Sequence, residues 1–200
     1  MAINYQKVTF TASYGLPSQV PASTLPEVSF VGRSNVGKSS IMNKIFNRKR
    51  LVKVSNTPGR TQNINFFNAG IADFVDLPGY GYAKVAKKDK DRWRTLIEGY
   101  FNQDRRFALC CVLIDIRHDV SELDKQMISF LLAREIPFMI VFTKADKMSS
   151  KSAVRRQMAK LVKQLSASGD AVVVATSSLD GTGIDDVRTL IEDAIAQAQA

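Results

Sequence analysis

A chain of 200 residues, 45% of them apolar, can bury one substantial core and has little length left for a second domain. A net charge of +9 favours a polyanionic partner, phosphate or RNA. No apolar run reaches membrane-spanning length, and the opening "MAINYQKVTFTASYG" lacks the apolar stretch of a secretory signal, so a cytoplasmic protein with no membrane partner is expected.

Residues 1–26 alternate around Val8 to Ala12 and hold three prolines, which reads as a lead-in with room for an extra edge strand before a single domain at 27–200. From Glu27 the chain alternates between two textures. Apolar, β-rich runs stand at 27–32, 71–76, 108–115, 137–143 and 171–177. Helical spacing fills the gaps: Trp93, Leu96, Ile97, Tyr100 and Phe101 form one stripe, and Leu123, Met127, Ile128 and Leu131 another. Ser121 and Asp124 resemble a capping box in front of the second stripe. Val154, Met158, Leu161, Val162 and Leu165 make a third stripe, and Ile184, Val187, Leu190, Ile191 and Ile195 a fourth.

Near-continuous apolar strands separated by helices predict an α/β sandwich of three layers, a mostly parallel sheet covered on both faces. The run 64–70 abuts 71–76 with no room for a helix, so these two predict an antiparallel hairpin at the sheet edge. Cys110 and Cys111 are neighbours on one strand and should be reduced thiols in opposite layers. Two acid-free stretches carry much of the basic charge. One runs between Glu27 and Asp73, the other from Lys147 to Gly169.

Four motifs stand at strand ends. "GRSNVGKS", Gly32, Arg33, Ser34, Asn35, Val36, Gly37, Lys38 and Ser39, matches G-x-x-x-x-G-K-S between a strand and a helix. Its backbone N–H groups would cradle phosphates, Lys38 would meet the β- and γ-phosphates, and the Ser39 hydroxyl would ligate Mg²⁺. In "DLPG", Asp76, Leu77, Pro78 and Gly79, the carboxylate would reach Mg²⁺ through water, and the Gly79 N–H would meet the γ-phosphate. In "TKAD", Thr143, Lys144, Ala145 and Asp146, the carboxylate can accept from guanine N1–H and its 2-amino group, a pair that adenine does not offer. The stem of Lys144 can cover the base. Ser177, Ser178 and Leu179 follow the last strand and would close over guanine O6. Each of the last three motifs is weak alone. Their order, each at the carboxyl end of a strand, is that of a guanine-nucleotide-binding P-loop NTPase domain.

Together with "TPGRTQNINFF", "DLPGYGYAK" and "SSLDGTGID", these motifs resemble the EngB (YihA/YsxC) branch of the Era-like translation-factor GTPases over nearly the whole chain after Glu27. The resemblance implies a cytoplasmic, Mg²⁺-dependent GTPase switch. It would serve assembly of the large ribosomal subunit, with a link to cell division and septation. Its partners would be the subunit or its precursors, rRNA and ribosomal protein, and a monomer is expected. It also implies that switch I passes through Gly59, Arg60 and Thr61, with Thr61 the Mg²⁺ ligand of the GTP state and Thr57 the alternative. Lys38, Thr61 and Gly79 would then carry catalysis. Thr143 stands where most related GTPases have asparagine, which removes one amide.

The residue after D-x-x-G is often a glutamine that orients the attacking water; here it is Tyr80, which predicts slow unassisted hydrolysis. Asn35 occupies the position at which similar GTPases hold K⁺, and a simple loop cap is the equal alternative. Nothing singles out Arg60 as a charge donor, and His118 reads as a surface loop residue. Lys49, Arg50 and Lys53 lead into switch I, and Lys87, Lys88, Lys90, Arg92 and Arg94 follow "DLPGYGYAK". A nucleotide-gated RNA-binding module with incidental turnover is the competing reading. A small-molecule kinase is disfavoured because the chain offers no lid or acceptor domain.

Overall fold

Among the described residues seven strands form one sheet in the order β1-β3-β4-β2-β5-β6-β7. They are β1 Thr9–Tyr14, β2 Glu27–Gly32, β3 Ile64–Asn68, β4 Asp73–Asp76, β5 Phe107–Asp115, β6 Phe138–Thr143 and β7 Val173–Ala175. The computed structural model describes residues 3–53, 63–81, 87–165, 169 and 171–199, with the backbone alone at 87–93. Gly59, Arg60, Thr61 and the alternative Thr57 therefore lie outside the described residues.

Among the described residues β3 is the one strand that runs against the others. It pairs antiparallel with β4 on one side and with β1 on the other. The remaining pairs are parallel. The β3–β4 hairpin thus sits one strand in from the edge, because β1 takes the edge itself.

The helices are α1 Lys38–Ile45, α2 Lys87–Phe101, α3 Glu122–Ala133, α4 Lys151–Gln164 and α5 Ile184–Gln199. Strand alternation sends side chains into two cores. Phe30, Phe74 and Leu113 meet Ile41, Met42 and Ile45 of α1 and Val187, Ile191 and Ile195 of α5. Val31, Val112 and Phe142 meet Leu96 and Tyr100 of α2, Ile128 and Leu131 of α3, and Leu161 of α4. Cys111 lies in the first core and Cys110 in the second, both as free, buried thiols. Burial pushes the Cys110 thiol up to about 12, so neither nucleophilic nor metal chemistry is expected of it. Ile3, Tyr5 and Val8 are buried in the first core, which fastens the chain ahead of β1.

At the amino end of β2 a carboxylate is buried that strand periodicity does not explain. Glu27 accepts from Arg105 Nε at 2.8 Å, from Arg105 Nη2 at 2.6 Å and from the Tyr100 hydroxyl at 2.7 Å. Both side chains of the ion pair are nearly sealed, 2% exposed for Arg105 and 1% for Glu27. The guanidinium also donates to the Pro21 carbonyl and lies over the rings of Phe66 and Tyr100. It therefore ties the segment before β2 to α2 and β3, at the end of the sheet away from the four motifs. Removing one partner of such a pair leaves a buried charge, at a cost of about 3–5 kcal/mol. Arg105→Met should lower unfolding free energy by that order in urea titrations. Adding Glu27→Gln should recover much of it, since glutamine still accepts from Tyr100.

Candidate nucleotide-binding site

The site grows from the carboxyl end of β2, a central strand flanked by β4 and β5. After Gly32 the chain turns through the P-loop into α1, whose cap, Gly37, has φ of 101°. The first hydrogen bond across the cap runs from Ile41 N to Gly37 O at 2.9 Å. The N–H groups of Lys38, Ser39 and Ser40 precede it and are available to an anion at the positive end of the helix.

The Lys38 side chain is 8% exposed and donates to Asp76 Oδ1 at the end of β4. Burial alone pulls the ammonium down to about 7, and the touching carboxylate opposes that pull. This contact brings the first two motifs together. The backbone beyond Asp76 is fastened to the P-loop as well: Ser34 N donates to Tyr80 O at 2.8 Å and Tyr80 N to Gly32 O at 3.2 Å. Between these anchors Gly79 lies so close that a Cβ would stand 3.3 Å from the backbone N of Ser34. A side chain there would make the loop give by a few tenths of an ångström, which glycine avoids.

The third motif is tied to the first from the other side. The buried Thr143 hydroxyl donates to the Val36 carbonyl at 2.7 Å. Threonine therefore retains one link between β6 and the P-loop despite lacking an amide. Lys144, left-handed with φ of 63°, donates to the Asn35 carbonyl at 2.8 Å and pairs with Asp115 at 2.9 Å. Burial would raise the Asp115 carboxyl, but Arg117 and Lys144 outweigh it and hold it well below the usual carboxylate range. The stem of Lys144 passes Gly37.

Asp146 accepts from the Ser177 hydroxyl at 2.8 Å, and Lys147 lies 3.5 Å from its other oxygen. Ser177 Oγ in turn accepts from Leu179 N at 3.1 Å and Asp180 N at 3.3 Å, which curls the fourth motif toward the third. Ala145 N donates to Thr176 O at 3.0 Å and closes the junction. Leu179 is left 73% exposed at the rim. A cleft of about 370 Å³ flanks the P-loop on its β5 side, bordered by Arg33, Asn35, Arg117, His118 and Lys144.

Thus the described residues of all four motifs gather at one end of the sheet. Tyr80 does not face them: it is 1% exposed and its phenol donates to Asp124 Oδ1 at 2.9 Å. A phenol so placed cannot orient a water at the phosphates. Asp115 and Ser177 are supports that motif matching undervalues; a carboxylate at the tip of β5, beside the lysine of "TKAD", was the available signal for the first.

The family model of the 50S ribosome-binding GTPases matches residues 27–144. A probable GTP-binding protein EngB of Ligilactobacillus salivarius is 42% identical over 186 residues, covering 92% of this chain and 94% of that protein. The EngB protein of Desulforamulus reducens is 43% identical over 188 residues, covering 93% and 91%. Among solved structures, a probable GTP-binding protein EngB superposes with a TM-score of 0.71 at 21% identity, over 86% of this chain and 99% of that one. Era in complex with MgGDPNP and a 16S ribosomal RNA fragment superposes with a TM-score of 0.67 at 21% identity, over 85% of this chain and 57% of that one. The relatives show that this chain belongs to the EngB family of GTP-binding proteins, and together with the family model that it is a GTPase.

Proposed function

We propose that the chain is a Mg²⁺-dependent GTP switch that binds the large ribosomal subunit or its precursors during assembly, as a cytoplasmic monomer. The observation that carries the nucleotide half of this reading is the convergence of Lys38, Asp76, Gly79, Thr143 and Lys144 on one P-loop, with Asp146 held by Ser177 just beyond Lys144. The donor set fits a hard cation: a hydroxyl at Ser39 in the first turn of α1 and a buried carboxylate at Asp76 beside Lys38. When bound, Mg²⁺ would supply neutralisation of the phosphate charge.

The protein's own contributions follow from placement. Lys38 provides positive charge where charge builds on the transferred phosphoryl group, and the backbone N–H groups of the loop and of Gly79 orient the phosphates. Thr61, by the family pattern, would add a second hydroxyl to the metal in the GTP state. Because the Tyr80 phenol is turned inward to Asp124, water positioning must come from elsewhere. Turnover without a partner should be slow, on the order of 10⁻⁴ s⁻¹ as in unassisted small GTPases. K⁺ held at Asn35 is one candidate source of the missing charge.

The ribosomal half rests on the family match and on charge. Lys49, Arg50 and Lys53 are exposed just ahead of switch I. On α4, Lys151, Arg155, Arg156 and Lys163 are exposed, and among the described residues no carboxylate forms an ion pair with them. Such a surface suits RNA phosphates. Co-sedimentation with large subunits should depend on a non-hydrolysable GTP analogue and weaken steeply with salt. Binding that ignores both nucleotide and salt would remove the gated-switch reading.

Two substitutions test the site. Asp146→Asn exchanges an acceptor pair for one acceptor and one donor, which suits xanthine in place of guanine. GTP binding should be lost and XTP binding gained in direct titrations; unchanged GTP affinity would reassign Asp146. Thr143→Val keeps the shape and removes the hydroxyl that reaches Val36. A hydrogen bond of this kind is worth about 1–1.5 kcal/mol, so GTP and GDP affinities should both weaken roughly tenfold.

A further inference from the structure

Tyr80 is the feature that the site as described leaves without a function. Its backbone is fastened to the start of the P-loop: it bridges Arg33 in parallel fashion, accepts from Ser34 N and donates to Gly32 O. Its side chain runs the other way, through the second core, to α3. There the phenol meets Asp124, a carboxylate that is 2% exposed. Asp124 divides its two oxygens. Oδ2 accepts from Ser121 N at 3.0 Å and Ser121 Oγ at 2.6 Å, closing the cap of α3, while Oδ1 takes the Tyr80 hydroxyl. The next residue is pressed onto the same turn, since a Cβ on Gly81 would stand 2.9 Å from Leu123 Cδ1. Residues 79–81 are thus packed between the P-loop and the first turn of α3.

We propose that Tyr80, anchored on Asp124, is a positioning residue for GTP: it holds Gly79 against the P-loop, so that the amino end of α3 helps set the γ-phosphate contact. The inference rests on the assignment of Gly79 to the γ-phosphate. A hydroxyl buried merely for packing would need one acceptor, and any backbone carbonyl could serve. Here the acceptor is the capping carboxylate of a neighbouring helix, reached from the residue directly after Gly79. Of the base-reading residues, Thr143 and Lys144 are tied to the P-loop through Val36 and Asn35, and Asp146 to the fourth motif through Ser177, all independently of Tyr80. Loosening Tyr80 should therefore disturb the γ-phosphate end and spare the part of the site that GDP uses.

The test is carried out on the full chain with Tyr80→Phe, Asp124→Ala, their combination, Ser121→Ala and Gly79→Ala. Affinities for GDP and a non-hydrolysable GTP analogue, kcat, KM and thermal stability are measured for each. For Tyr80→Phe and Asp124→Ala, the preference for the analogue over GDP and kcat should each fall roughly tenfold, as small misplacements at a reacting centre do, with GDP affinity kept within about twofold. The combination should be no worse than either single change. Ser121→Ala weakens the cap from the other oxygen and should lower thermal stability without moving the preference.

Equal losses for GDP and the analogue, an unchanged preference in Tyr80→Phe, or an equal shift in Ser121→Ala would overturn the proposal. Gly79→Ala separates the two levels of the argument. If it loses the preference while Tyr80→Phe keeps it, the positioning idea fails and the Gly79 assignment stands. If neither variant loses the preference, the assignment itself falls.

Discussion

A lysine ammonium that is nearly sealed from water needs an anion, and most of this site is arranged around that need. Lys38 projects from the first turn of α1, where the helix end is itself electropositive, so burial and the helix dipole both disfavour its charge. The carboxylate of Asp76 answers it from the tip of the neighbouring strand. Asp76 is held there by the pairing of β4 with β2 on one side and β3 on the other. The hairpin matters for function because its inner strand delivers this one oxygen. Phosphate oxygens would compete for the same ammonium, so strand-end carboxylate and nucleotide share one charge partner.

From that pair the remaining connections radiate in two directions with different character. Toward the base, the links are many and local: Thr143 to Val36, Lys144 to Asn35 and Asp115, Ser177 to Asp146, Ala145 to Thr176. The links to Asp115, Asp146 and Thr176 join the ends of neighbouring strands of one sheet, and those from Thr143 and Lys144 reach past β5 to the P-loop. Toward the γ-phosphate, the structure relies on residues 79–81 packed between the P-loop and α3. On the proposed assignment the guanine contacts lie among strand ends, whereas the γ-phosphate contact lies in a segment that also packs against a helix.

The motifs were legible in the sequence because each is short, contiguous and placed at a strand end that apolar runs reveal. The capping box at Ser121 and Asp124 was legible for the same reason, and the structure closes it. What sequence could not reveal was pairing across long separations. Glu27 and Arg105 are 78 positions apart, and neither shows by itself that it is buried. The second use of Asp124, as acceptor for Tyr80, is of the same kind: local pattern shows the cap, and only the packing of α3 on the sheet supplies the other partner. The hairpin was readable from spacing alone, whereas its place one strand in from the edge depends on β1 pairing with β3 across 50 to 60 intervening positions. Tyr80 could be recognised as an unusual residue after D-x-x-G, but its inward direction follows from the bridge to Arg33 that fixes its backbone.

The claim that Lys38 and Asp76 organise the site is tested most directly by the stability of Asp76→Asn, measured by urea unfolding without divalent cations. Asparagine keeps the shape and removes the charge, leaving the ammonium buried without its anion. A loss of about 3–5 kcal/mol is expected in nucleotide-free protein. Saturating GDP should recover part of that loss, because its phosphate oxygens meet the same ammonium. A variant as stable as the parent, or one whose deficit is untouched by GDP, would contradict that claim.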